Sequence, residues 1–105
     1  MKVIYSKEVD EYLRELVDIL YDNGYFKFKD YAHQYVDSLI DGIEETIHIK
    51  LKKTAPDYFS KYGRGLFYVS YKKSRNTQWY VFFHYENGVY YIRYIGNNHN
   101  ISQYL

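Results

Sequence analysis

The chain reads as an α+β domain: an N-terminal strand, an antiparallel helical hairpin, then a three-stranded antiparallel meander, with the helices packed on one sheet face. Three observations predict this. Two stretches in the first half carry apolar residues at helical spacing, Val9, Leu13, Leu16, Val17, Leu20 and then Phe28, Ala32, Tyr35, Val36, Leu39, Ile40, Ile43, Ile47. The second half is rich in aromatic and β-branched residues that alternate in short runs. Asn87-Gly88 sits between two such runs, and that dipeptide accommodates the positive φ angles of a two-residue hairpin turn.

Taken in order, residues 2–5 (KVIY) form a short β-rich run, and Ser6 follows as an N-cap with Glu8 in the first helical turn. Asn23-Gly24 closes the first helix, because glycine readily takes the left-handed C-cap conformation. A short connection leads into the second helix, so the pair is expected to be antiparallel. Residues 51–65 (LKKTAPDYFSKYGRG) break the periodicity with Pro56, Gly63 and Gly65. Strands are expected at residues 66–73, 78–86 and 89–95, with a polar loop at 74–77. The tail GNNHNISQYL is expected to be a loop with a short terminal turn.

The hairpin turn also predicts register. Counting outward from Asn87-Gly88 pairs Phe83 with Ile92 and Phe82 with Arg93, and partners share a face. One face then reads Trp79, Val81, Phe83, Tyr85, Tyr90, Ile92, Tyr94 and should pack on the helices. The other carries Tyr80, Phe82, His84, Glu86, Val89, Tyr91, Arg93 and Ile95, and is where a ligand is expected.

Charge is divided along the chain. Residues 1–50 hold six Lys/Arg against eleven Asp/Glu, whereas residues 51–105 hold eight against two. Ten of the sixteen tyrosines and the single tryptophan lie in the basic half. Cations interleaved with stacking rings suit a ligand bearing phosphates and bases. The acidic residues are expected on the solvated faces of the helices. The chain has no cysteine, which excludes disulfides and thiolate zinc sites. Its four histidines (His33, His48, His84, His99) lack metal-ligand spacing, so no metal or other cofactor is expected. No run approaches the roughly 18 apolar residues of a membrane span, and the N-terminus lacks a signal-peptide core. A single domain over residues 1–105 in a reducing cytoplasm, with no membrane partner, is the expectation.

The order of elements, the run TQWYVFF and the segment YIRYIGNNHNISQYL together carry a resemblance. A strand ending in Gly96, a polar loop, and Tyr104 eight residues beyond it complete the pattern. In these features the chain resembles the RelE/ParE family of toxins from bacterial toxin–antitoxin systems. The resemblance implies the meander fold with helices on one face and a cognate antitoxin protein as partner. RelE-like members cut mRNA in the ribosomal A site without a metal, whereas ParE-like members poison DNA gyrase. By position, Lys52 and Lys53 match the family's lysines near the end of the second helix, Arg64 its arginine before the next strand, and Tyr104 its base-stacking tyrosine. Asn98 stands where RelE-type members keep an arginine, with His99 adjacent. Three readings stay open: an mRNA interferase, a gyrase poison, and a non-toxic binding module of the same fold.

Metal-free RNA cleavage requires deprotonation of a 2′-hydroxyl, neutralisation of the phosphate and protonation of the 5′-oxygen. Arg64 and Arg93 are candidates for the phosphate, since a guanidinium binds its oxygens in pairs. His99, with His84 second, is the candidate for proton transfer, histidine being the side chain that titrates near neutral pH. Tyr104 completes the expected catalytic set, and Lys52, Lys53, Lys61, His84, Tyr91, Asn97 and Asn98 the expected RNA contacts. Lys52, Lys53, Arg64, the His84/Tyr91/Arg93 face and the GNNHN loop are expected to form one groove.

Overall fold

A computed structural model describes all residues, 1–105. The α+β class is as expected, but the sheet has five strands and is mixed. The elements are β1 (Lys2–Tyr5), α1 (Lys7–Asp22), α2 (Lys29–Thr46), β2 (Lys53–Thr54), a 3₁₀ turn (Asp57–Tyr62), β3 (Phe67–Lys72), β4 (Gln78–Glu86), β5 (Val89–Asn97), α3 (Asn98–Ile101) and a final 3₁₀ turn (Ser102–Tyr104). In space the strands run β1-β5-β4-β3-β2. β1 lies parallel to β5, and the remaining neighbours are antiparallel. The expected three-stranded meander is therefore the centre of a larger sheet, extended on one side by β1 and on the other by β2. Residues 51–65, expected to be irregular, supply β2 and the first 3₁₀ turn.

Ser6 caps α1 by accepting from the Val9 amide at 3.1 Å. Gly24, at φ +77°, turns the chain away at the other end. The two apolar stripes face the sheet. Val9, Leu13, Leu16 and Val17 of α1 and Ala32, Val36, Leu39 and Ile43 of α2 are buried against Val69, Trp79, Val81, Phe83, Ile92 and Ile95. Each large side chain taken fully from water there contributes about 1.5–3 kcal/mol. The Trp79 indole N–H is kept satisfied by donating to the Tyr35 hydroxyl at 2.9 Å.

Asn87 (φ 50°) and Gly88 (φ 80°) form the predicted turn, and Phe83 pairs with Ile92 as expected. One step further the register shifts. Phe82 pairs with Tyr94, not Arg93, so Arg93 is an extra residue in β5, a β-bulge. The face assignment beyond it is corrected accordingly. Ile95 joins Val81 in the helix-facing core, while Tyr94 joins Phe82 on the opposite face.

That opposite face has its own small core. Phe59, Leu66, Phe82 and Ile101 are buried together, brought by the 3₁₀ turn at Asp57–Tyr62 and by the tail folding back over the sheet. The tail is thus a short helix and turn, not a loop. Phe59 stacks on Phe82 with centroids 4.3 Å apart. No helix is long and apolar enough to cross a membrane.

Candidate functional site

All eleven acidic residues of the first half lie on α1 and α2, and every one is exposed. The molecule's two ion pairs, Arg14–Asp10 and Lys29–Asp18, are both in this helical layer. None of the eight cations in residues 51–105 has an ion-pair partner.

Cross-strand pairing places Lys53, Tyr68, Phe82 and Tyr94 in one row on the face away from the helices, and Ser70, Tyr80 and Gly96 in the next. Gly96 leaves room for this packing: a Cβ there would come within 3.1 Å of both the Tyr94 ring and Ile101, which would have to shift by a few tenths of an ångström. Two tyrosine stacks stand over the face. Tyr62 lies on Tyr94 with centroids 4.0 Å apart, and Tyr104 lies on Tyr58 at 3.6 Å with the rings nearly parallel. Lys61 bridges them, its Nζ 4.0 Å from the Tyr58 centroid and 5.5 Å from that of Tyr62.

A cleft of about 670 Å³ opens beside these stacks and is lined by Ser6, Glu8, Val9, Tyr12, Lys61, Tyr62, Arg93, Tyr94, Ile95 and Asn100. Topology explains it. β1 ends at Tyr5, whose partner is Ile92, and the chain then rises into α1. From Arg93 onward β5 has no neighbour on that edge, so residues from both layers converge along it. The bulge sits where the pairing stops.

Electrostatics in this region follow the neighbours. The Lys61 ammonium beside it holds the Tyr58 phenol below its ordinary value, and the Tyr58 phenol in turn raises Lys61. Burial, with Tyr62 adding to it, pushes the Tyr94 phenol up and keeps it neutral. The cleft thus offers two cations, one carboxylate and the half-buried neutral phenol of Tyr94, while Tyr58, beside Lys61 but outside the lining, yields its proton more readily than usual. No three His, Asp or Glu side chains converge to hold a metal ion.

The structure distributes the expected site residues over separate places. Arg93 and Lys61 line the cleft, and Tyr104 joins them through Tyr58 and Lys61. His84 and Tyr91 stack at 4.7 Å, and the Arg93 Nε donates to His84 Nδ1 at 3.5 Å. His99 and Asn98 instead line a separate polar groove with Lys72 and Arg75. Asn97 caps α3, its side chain accepting from the amides of His99 and Asn100. Arg64 is exposed on the turn between Gly63 and Gly65, and lines neither depression. Lys53 is in β2, and Lys52 leans on the Phe67 ring with Nζ 4.3 Å from its centroid. α2 ends at Thr46, so neither lysine is at its end.

Sequence reasoning missed Glu8, Tyr58, Tyr62, Tyr94 and Asn100. Pro56 followed by DYFSKY carried a usable signal for the first two tyrosines: proline starting a tight turn that puts aromatic and basic residues on one side.

The fold and site define an α+β protein with an acidic helical layer and a tyrosine-rich opposite face that carries Lys53, Lys61 and Arg93. No protein-family model, no curated protein and no solved structure matches the chain.

Proposed function

We propose that this chain is a RelE/ParE-type toxin that acts as a ribosome-dependent mRNA interferase and is held in check by an antitoxin protein. One observation carries the reading: Lys53, Lys61 and Arg93, none with an ion-pair partner, accompany stacked tyrosines on the face opposite eleven helical acids. A polyanion that also presents flat bases is the ligand such a surface fits. The order strand, two helices, antiparallel strands, with the first strand beside the last, supports the family assignment.

In this reading Arg93 and Lys61 hold the scissile phosphate in the cleft, and the exposed Tyr58–Tyr104 pair offers a stacking surface for a base. Glu8 takes the 2′-hydroxyl proton as the 2′-oxygen attacks phosphorus. The bond to the 5′-oxygen breaks, and that oxygen receives a proton from the Lys61–Tyr58 pair. His99 lies outside the cleft and takes no part in the proton transfer.

Induced expression tests the reading. Growth arrest with transcripts cut on the ribosome is the expected outcome, and Arg93→Ala should slow cutting by about 10²–10³-fold, the loss typical of one oxyanion-stabilising donor. Arrest with DNA damage and intact transcripts would identify a gyrase poison instead, and unimpaired growth a non-toxic binding module. Full cutting by folded Arg93→Ala would remove the cleft from the mechanism.

A further inference from the structure

The second groove, about 630 Å³, is polar throughout its lining. Lys72, Arg75, Asn76, Thr77 and His99 are among its lining, which contains neither a carboxylate nor an apolar side chain. Lys72 and Arg75 have no ion-pair partner.

The groove is also held in shape. The Lys73 and Ser74 amides both donate to the Thr77 carbonyl, at 3.0 and 3.3 Å, closing the loop between β3 and β4. Asn98 then ties that loop to α3. Its Oδ1 accepts from the Gln78 amide at 2.9 Å, and its Nδ2 donates to the Asn76 carbonyl at 3.1 Å. The Thr77 hydroxyl and His99 Nε2 meet at 3.5 Å across the gap. A fixed loop loses less freedom when a ligand seats on it, so its cations are better placed than those of a free loop.

We propose that this groove is a second phosphate-binding subsite, taking the backbone of single-stranded RNA away from the cleft where cutting is placed. The inference rests on the RNA reading above. It assigns Lys72 and Arg75 to backbone contacts and Asn98 to positioning their loop.

The test is equilibrium binding of a fluorescently labelled single-stranded oligouridylate to the full chain, without ribosomes, across about 50 to 200 mM salt. Each neutralised phosphate of a single strand contributes about 0.7 to the slope of log affinity against log salt. The double variant Lys72→Ala/Arg75→Ala should therefore flatten the slope by about 1.4. Arg75→Lys, which keeps the charge, should stay near the unaltered protein. An unchanged slope in the double variant overturns the subsite. An equal flattening by Lys2→Ala/Lys7→Ala, at the start of the chain, overturns it too, because total charge would then explain the effect. Absence of any binding by the unaltered protein likewise overturns it. The toxin reading is judged separately by transcript cutting on induction. Cutting with an unchanged slope removes only the subsite, and a flattened slope without toxicity removes only the toxin.

Discussion

Replacing Asn98 by alanine removes two hydrogen bonds that join separate parts of the chain, the one from the Gln78 amide and the one to the Asn76 carbonyl. Each such bond is worth about 1 kcal/mol net, and the part-buried Gln78 amide is left without its partner, so the loss should be about 2 kcal/mol. For a chain of this size, at about 4 °C per kcal/mol, the melting temperature should fall by about 8 °C. Asn98→Asp keeps the acceptor for Gln78 and loses the donor to Asn76, so it should lose about half as much. Asn98→Arg loses both bonds and should behave like alanine in stability. Thermal and urea denaturation followed by circular dichroism measure all three. A change of less than about 0.5 kcal/mol for Asn98→Ala, the level of an ordinary surface substitution, would refute the role of Asn98 as the tie between the loop and α3.

Tyr35→Phe should cost about 1–3 kcal/mol by leaving the buried Trp79 N–H without an acceptor, read as a lower urea midpoint with unchanged slope. Stability should also fall under alkaline conditions. Burial raises the phenols of Tyr5, Tyr12, Tyr71 and Tyr94 above the ordinary value of 10.0, and Glu44, which accepts from Tyr5 at 2.9 Å, adds to the first. Above pH 10 the unfolded chain releases these protons while the folded chain retains them, so unfolding becomes easier as pH rises. The urea midpoint should be level below pH 9 and drop above pH 10, and Tyr94→Phe should make the drop shallower; a midpoint unaffected by alkali would contradict the burial of these rings.

The helices and the hairpin were legible because their signals are local. Apolar spacing marked both helical stripes, and Asn87-Gly88 placed the turn and the first pairs beyond it. The bulge at Arg93 was not legible. Tyr94 and Ile95 are both apolar enough for either face, so the alternation reads equally well with or without the extra residue. The pairing of β1 with β5 joins distant segments, and no local pattern announces it. The site was legible in part for the same reason. Lys61, Arg93 and Tyr104 stood out as basic or terminal residues, but Glu8 reads as an ordinary first-turn acid. Its place in the same cleft as Arg93 depends on where β1 stops. The two bonds of Asn98 were not legible either, because they join segments that only the fold brings together.

The first and last strands being neighbours has a consequence in time. Lys2 pairs with Val89, so the sheet closes only across nearly the whole length of the chain. Contacts so remote in sequence form late and slowly, whereas the α1–α2 pair can assemble from adjacent segments. During synthesis the helical layer is complete before any of β3, β4 or β5 exists, and β1 waits unpaired until β5 has been made. Arg93 and Lys61 come together only at that last step. A nascent chain therefore carries no assembled cleft until β5 has emerged and paired with β1.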